Sequence, residues 1–246
     1  MLVALAVPGC SRGEESPSPS SVGAASSTVP DATSPLSSSS TSLGKGGVHP
    51  LPAPRLAGDM SLEEAIKARR SVRDYTGEPV SLAEVAQLLW AAQGITSERG
   101  ARAAPSAGGT YPLELYVVAG DVEGLPPGVY HYRPKTHDLV EWGPRDRRAA
   151  LAEASLNQAW VRTAAVDIVI AAVYARTTQT YGERGIRYVD LEAGHAAENL
   201  CLQAVALGLG SVMVGAFYDD EVQGVLDLPA DHEPIYVIPV GRPAKL

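Results

Sequence analysis

Arg69-Arg70-Ser71-Val72-Arg73 sets three guanidiniums and a hydroxyl within five residues of a 246-residue chain. A guanidinium is a planar, permanently charged fork that matches phosphate oxygens two at a time. Three of them crowded together repel one another unless an anion lies among them. The plainer reading is a solvated basic helix end, where arginine also offsets the negative end of the helix dipole. A second stretch with chemical promise is Pro105-Ser106-Ala107-Gly108-Gly109-Thr110-Tyr111-Pro112. Proline and paired glycines hold such a backbone in a turn and leave its amides bare of bulky side chains. Bare amides and two hydroxyls suit a phosphate or the edge of a flat heterocycle, and the plain alternative is a structural turn.

Regular elements must hold these two stretches in place. Ser61-Leu62-Glu63-Glu64 and Ser81-Leu82-Ala83-Glu84 are capping boxes, each with a hydroxyl at the N-cap and a carboxylate three residues on. Leu62, Ala65, Ile66 and Arg69 then follow helical spacing, so the first helix delivers Arg69 to Arg73 at its exit. The second carries Leu82, Val85, Leu88 and Leu89 on one face and is expected to close on Gly94 in the left-handed region. Leu113 to Ala119 reads as a strand, and Val129 to Tyr132 with Leu139 to Trp142 as a hairpin. Ala164 to Val173 is almost wholly apolar, as a strand buried on both faces must be. A long helix from Ile186 to Leu207 stops at Gly208-Leu209-Gly210. A strand over 211–215, a helix over 219–226 and a final strand over 235–240 complete the body, which ends in Gly241-Arg242-Pro243. No strand–turn–helix unit carries GxGxxG, which excludes a Rossmann domain. Pattern alone supports one α+β domain over residues 56–246.

The residues before it differ in kind. Ser, Pro, Thr, Gly and Ala dominate 11–55, a composition that buries too little surface to offset ordering entropy, so a disordered tether is expected. Ahead of it, Met1 to Val7 is apolar and Pro8-Gly9-Cys10 follows. A small residue before a lone cysteine resembles the end of a bacterial lipoprotein signal. That resemblance implies cleavage after Gly9, lipidation of Cys10 and an extracytoplasmic, membrane-anchored body. The missing basic n-region and the short apolar run depart from the pattern, and without lipidation the protein is expected in the cytoplasm. Cys201, among Leu200, Leu202 and Ala204, reads as a buried core thiol. His49, His131, His137, His195 and His232 show no metal-ligand spacing. The net charge of −8 falls on the body, since acidic and basic residues balance in the tail, and argues against nucleic acid as a partner.

Four stretches together resemble the flavin-dependent nitroreductase family: Arg69 to Arg73, Pro105 to Gly109, Gly208-Leu209-Gly210-Ser211-Val212-Met213-Val214-Gly215, and Val240-Gly241-Arg242-Pro243. Ala91-Ala92-Gln93-Gly94-Ile95 and Leu191-Glu192-Ala193-Gly194-His195 look most like its SagB-type, peptide azoline dehydrogenase branch. The resemblance implies a mixed central sheet flanked by helices, an intertwined homodimer, and FMN at the dimer interface. It implies that Arg69, Ser71 and Arg73, with Arg70 alongside, hold the phosphate and ribityl chain, and that Arg242 completes the anionic pocket. Pro105, Ser106, Ala107 and Gly109 would reach the flavin ring from the other subunit, and Gly215 would lie against its N5 edge.

The implied reaction is a ping-pong transfer of two electrons from NAD(P)H or another donor to a small organic acceptor. The azoline-oxidising branch places a Lys-Tyr pair ahead of the long helix, where this chain reads Thr180-Tyr181. Threonine accepts no proton near neutral pH, so a general oxidoreductase is preferred. The alternatives are an azoline-to-azole dehydrogenase with Tyr181 as acid/base, and a non-catalytic flavin-binding module presented on the membrane.

Overall fold

The structure, a computed structural model, describes residues 46–245. Its centre is a seven-stranded sheet in the order β1-β6-β5-β3-β7-β9-β8. The strands are β1 (Val48–Pro50), β3 (Leu113–Ala119), β5 (Gly128–Arg133), β6 (Asp138–Gly143), β7 (Val166–Ala172), β8 (Gly210–Ser211) and β9 (Glu233–Gly241), and every neighbouring pair is antiparallel. A separate parallel pair joins β2 (Val80–Ser81) to β4 (Val122–Glu123).

Alternation along β3 and β7 divides the core in two. Leu113, Leu115, Val117, Ile168 and Ile170 face α2 (Leu82–Gln93) and α6 (Arg184–Ala206), while Tyr116, Val118, Val169 and Ala171 join the opposite cluster. That cluster is filled by α3 (Arg148–Ala154), α4 (Ala159–Thr163) and α7 (Asp219–Leu226). The result is a helix–sheet–helix sandwich of the α+β class, as expected. Two helices complete it, α1 (Leu62–Ala68) and α5 (Ala175–Tyr181). Cys201 is buried in the α2–α6 layer.

Both capping boxes form with all their expected hydrogen bonds. Other expectations shift. Gly94 caps α2 with φ −63° and ψ 152°, extended rather than left-handed, because the chain leaves directly into the loop where Ile95 pairs with Arg102. The strand expected over 211–215 is only β8 and an isolated bridge between Val214 and Val237. Pro239, opposite the gap, has no N–H to donate, so the ladder breaks there.

The body also begins before residue 56. β1 pairs with β6, Leu51 is buried, and the Arg55 N–H donates to Gln87 Oε1 at 2.8 Å. The tether's composition conceals this, because between Gly46 and Arg55 only Val48, His49 and Leu51 have side chains suited to an edge strand and its packing. Cys10 and residues 1–45 lie outside the described residues.

Candidate functional site

α1 ends at Ala68, and Arg69 leaves it with φ −54° and ψ 125°. The chain then runs extended along β8 and the end of β9, tied by its backbone. The Val72 N–H donates to the Ser211 carbonyl at 2.9 Å, the Thr76 N–H to that of Arg242 at 2.9 Å, and the Ala244 N–H to that of Asp74 at 3.0 Å. Ser71 bridges Ser211, and Tyr75 bridges Pro243. The Tyr75 hydroxyl locks the ribbon further by donating to the carbonyls of Val72 and Pro239.

This ribbon sets three arginines in different surroundings. Arg69 Nε stands 3.5 Å from Glu198 Oε1 on α6. The Arg73 guanidinium lies 5.3 Å over the Trp160 ring of α4. Among the described residues neither Arg70 nor Arg73 forms an ion pair. Arg70 turns back, donating from Nη1 to the carbonyls of Lys67 and Arg69 at 2.9 and 2.7 Å. From one ribbon, Arg69 thus reaches the α6 layer and Arg73 the α4 layer, while Ser71 between them pairs with β8 through its backbone.

Arg242 is placed otherwise than in an open anionic pocket. Its fork is closed on Glu84, Nη1 to Oε1 at 2.8 Å and Nη2 to Oε2 at 2.9 Å. Burial alone would raise the Glu84 carboxyl, but hydrogen bonds from Ser81 and the Arg242 fork hold it below the ordinary carboxylate range. Arg242 thus ties the end of β9 to the start of α2, and touches the ribbon through its own carbonyl. Gly215, exposed, ends the segment that begins at Gly210 beside the ribbon.

The second stretch is a compact turn. Ala107–Gly109 makes one 3-10 turn with Gly108 at φ 61° and Gly109 at φ 65°, left-handed values that favour glycine. Ser106 Oγ accepts the Tyr111 N–H at 2.9 Å, and the hydroxyls of Thr110 and Thr177 meet at 2.7 Å. Tyr181, at the end of α5, lies over the turn: a Cβ at Gly108 would stand 2.5 Å from its hydroxyl. The Tyr188 ring braces it edge-on at 5.3 Å. The structure therefore brings Tyr181 to the same turn as Ser106, Ala107 and Gly109.

Beneath the turn lies a polar cluster that the sequence reading did not assign. Glu192 of α6 is 2 % exposed and Gln93 of α2 is fully buried, and neither Glu192 Oε1 nor Gln93 Nε2 has a hydrogen-bond partner. Gln93 Oε1 accepts from Arg102 Nη1 at 2.7 Å, and the Arg102 guanidinium lies 4.5 Å over the Tyr111 ring. Burial pushes the Glu192 carboxyl up to about 7, opposed by Ser106, Arg102 and Gln93. Both residues belong to the stretches that carry the branch resemblance, and a carboxylate one helix turn from an alanine face was the available signal.

A stability consequence follows from linkage. Unfolded, the Glu192 carboxyl ionises near 4.5; folded, it holds its proton to about 7. The folded state binds the extra proton between those values, so its contribution is full below pH 4.5 and is lost as pH rises through 7. The loss is at most about 3 kcal/mol for a shift of this size. Urea midpoints of the wild type are expected to fall from pH 5 to pH 8, and Glu192→Gln to flatten that fall. Parallel pH profiles for the two would contradict the assignment.

The ribbon of guanidiniums meets α6 through Arg69, and the glycine turn packs on the same helix of a three-layer body. Comparison with known proteins narrows the class. The chain matches the nitroreductase family over residues 66–242. It is 46 % identical over 184 residues to a protein of Methanocaldococcus jannaschii named as a nitroreductase, covering 75 % of this chain and 92 % of that one. The trifolitoxin-processing protein TfxB of Rhizobium leguminosarum bv. trifolii is 32 % identical over 139 residues, 54 % of this chain and 37 % of its own.

Among solved structures, a nitroreductase from Ralstonia eutropha superposes with a TM-score of 0.71 at 30 % identity, covering 81 % of this chain and 90 % of that one. The NADPH:FMN oxidoreductase of Vibrio harveyi, solved with NAD+, shares the fold at a TM-score of 0.55 and 21 % identity, over 75 % of this chain and 69 % of its own. The chain belongs to the nitroreductase family and is a flavin-dependent oxidoreductase.

Proposed function

We propose that the protein binds FMN between two copies of itself and passes two electrons, in a ping-pong cycle, from a reductant to a small organic acceptor. The observation that carries this reading is the backbone-locked ribbon, which holds Arg69, Ser71 and Arg73 in one extended stretch and in which Arg73 has no carboxylate partner among the described residues. Forks and a hydroxyl on a backbone fixed in this way suit a phosphate monoester, because the backbone has little freedom left to lose on binding. When bound, the flavin would supply the hydride chemistry, and the protein binds it, orients it and controls access.

The turn at Pro105 to Gly109 offers its bare backbone to the ring held by the partner copy, and Gly215 serves the ring edge on the first. Exposed apolar side chains are available for the pairing of copies: Leu62 and Ile66 of α1, and separately Ile186 and Leu191 of α6, are each about half exposed or more. Arg242 supports the ribbon through Glu84 and the Thr76 contact. The anchor at Cys10 belongs to the proposal as well, and puts the enzyme where a donor other than a nicotinamide has to be considered.

A second reading is favoured by the Tyr181 hydroxyl over Gly108 and by the similarity to TfxB: a dehydrogenase of peptide azolines, with Tyr181 moving the proton. One anaerobic experiment separates the readings. NADPH added to the FMN-loaded protein is expected to bleach the flavin absorbance, and a nitroaromatic or quinone to restore it. Bleaching by an azoline-bearing peptide, with none by NADPH, would move the assignment to the dehydrogenase. Flavin that neither NADPH, the peptide nor dithionite reduces would contradict both.

A further inference from the structure

We propose that a cavity beside Tyr111 is a second small-molecule site, one that takes a monocarboxylate on Arg102 and Lys135. The cavity, of about 540 Å³, lies between the loop after α2, the start of β3 and the turn joining β5 to β6. That volume falls within the range of small-molecule pockets. Among the described residues, its lining includes none from the arginine ribbon, so it stands apart from the phosphate site proposed above.

Tyr111, in the cavity wall, has φ 47°, a left-handed value that a bulky side chain rarely adopts. Three contacts hold it there. Its N–H donates to Ser106 Oγ at 2.9 Å, its carbonyl accepts from Arg176 Nη1 at 3.0 Å, and its ring lies 4.5 Å from the Arg102 guanidinium. Backbone held against its preference by its surroundings clusters at binding sites. Here it sets a flat aromatic wall with the Arg102 fork laid over it.

Charge decides the ligand. Glu114 is taken up within the protein: its Oε2 meets His131 Nε2 at 2.7 Å and its Oε1 meets Arg176 Nη2 at 2.5 Å. Burial pushes the Glu114 carboxyl up, but His131 and Arg176 outweigh it and hold the carboxyl down to about 2. Glu114 therefore counts as a closed pair with Arg176. Arg133 is closed too, its fork held on both oxygens of Asp138 at 2.6 Å. Arg102 and Lys135 remain. Arg102 gives Nη1 to the neutral Gln93 Oε1 at 2.7 Å, and neither Arg102 nor Lys135 forms an ion pair among the described residues. Against these two cations stands the exposed Glu98, which leaves an excess of one positive charge in the lining. A monoanion matches that excess, whereas a phosphate dianion would bring a second charge with no cation left to meet it. The planar Arg102 fork suits a carboxylate, and Tyr111 with the exposed Ile95 offers a surface to the ligand's apolar body.

The test is a fluorine NMR titration of the full chain with para-fluorobenzoate, and with para-fluorobenzamide as its uncharged equivalent, each with and without saturating FMN. The acid is expected to bind at least tenfold more tightly than the amide. Arg102→Gln is expected to weaken the acid about tenfold, and Lys135→Ala about threefold. Lys135 is exposed, so its variant keeps the test available if Arg102→Gln, which disturbs the contact to Gln93, fails to fold. FMN is expected to leave the affinity for the acid unchanged. Equal binding of acid and amide, or an affinity for the acid that survives both substitutions, overturns the proposal. Displacement of the acid by FMN overturns it as well, because the acid would then occupy the flavin site. A protein that binds the acid in the expected way but binds no FMN removes the flavin reading and leaves this site standing.

Discussion

Arg69→Ala is expected to weaken FMN binding about a hundredfold while lowering the unfolding midpoint by no more than about 3 °C. The two effects separate because Arg69 has two different relationships. Toward the protein it makes one half-exposed contact, 3.5 Å from Glu198. Such surface pairs contribute about 1 kcal/mol or less, which is a few degrees in a domain of this size. Toward a phosphate it would give a charge-assisted fork, and each such hydrogen bond contributes about 1.5–3 kcal/mol. Losing about 3 kcal/mol of binding is two orders of magnitude in Kd. Equilibrium dialysis with FMN, alongside a thermal melt, measures both quantities. Unchanged flavin affinity in a stable variant would remove Arg69 from the site.

Gly210→Val addresses the scaffold under the arginines. A Cβ at Gly210 would stand 2.6 Å from Val72 Cγ1 and 2.8 Å from Val72 Cβ. Gly210 does not have positive φ, so the conflict is steric and owes nothing to backbone strain. Val72 cannot simply step aside, because its N–H is held by the Ser211 carbonyl at 2.9 Å. The ribbon from Ser71 to Thr76 must lift from β8. Overpacking of this kind costs about 1–3 kcal/mol, and the arginines move with the ribbon. The expected result is a midpoint lowered by about 5 °C together with at least a tenfold loss of FMN affinity, with Gly210→Ala intermediate in both. Loss of stability with flavin affinity intact would mean that the ribbon does not set the cofactor site.

Much of this architecture was legible in the sequence, for identifiable reasons. The capping boxes at Ser61 and Ser81 are local, and formed as read. β3 matched its expected bounds, as did α7, and the apolar run around β7 could only be a central strand. α6 stops where its glycine predicts: Gly208 at φ 72° closes the helix, with the Leu209 N–H bonded to Ala204 and the Gly208 N–H to Val205. What was missed is short or depends on distant partners. α3 and α4 have seven and five residues and lack a side-chain cap, and α5 is rich in threonine, which has modest helix propensity. β1 exists only because β6 offers an edge.

The site divides along the same line. Arginine crowding and the glycine turn are visible in one short window each. Arg242 is visible too, but its partner is not, because Glu84 already had a local role in a capping box and fills both. The Glu192, Gln93 and Arg102 cluster is assembled from α6, α2 and a loop, and no spacing rule joins them.

The most direct test of the central claim, that the ribbon is a phosphate site, compares FMN with riboflavin, which has the same ring and ribityl chain and lacks only the phosphate. Titrated into the apoprotein, FMN is expected to bind at least a hundredfold more tightly than riboflavin, and Arg69→Ala to erase most of that difference. Equal affinity of the wild type for the two would contradict the account.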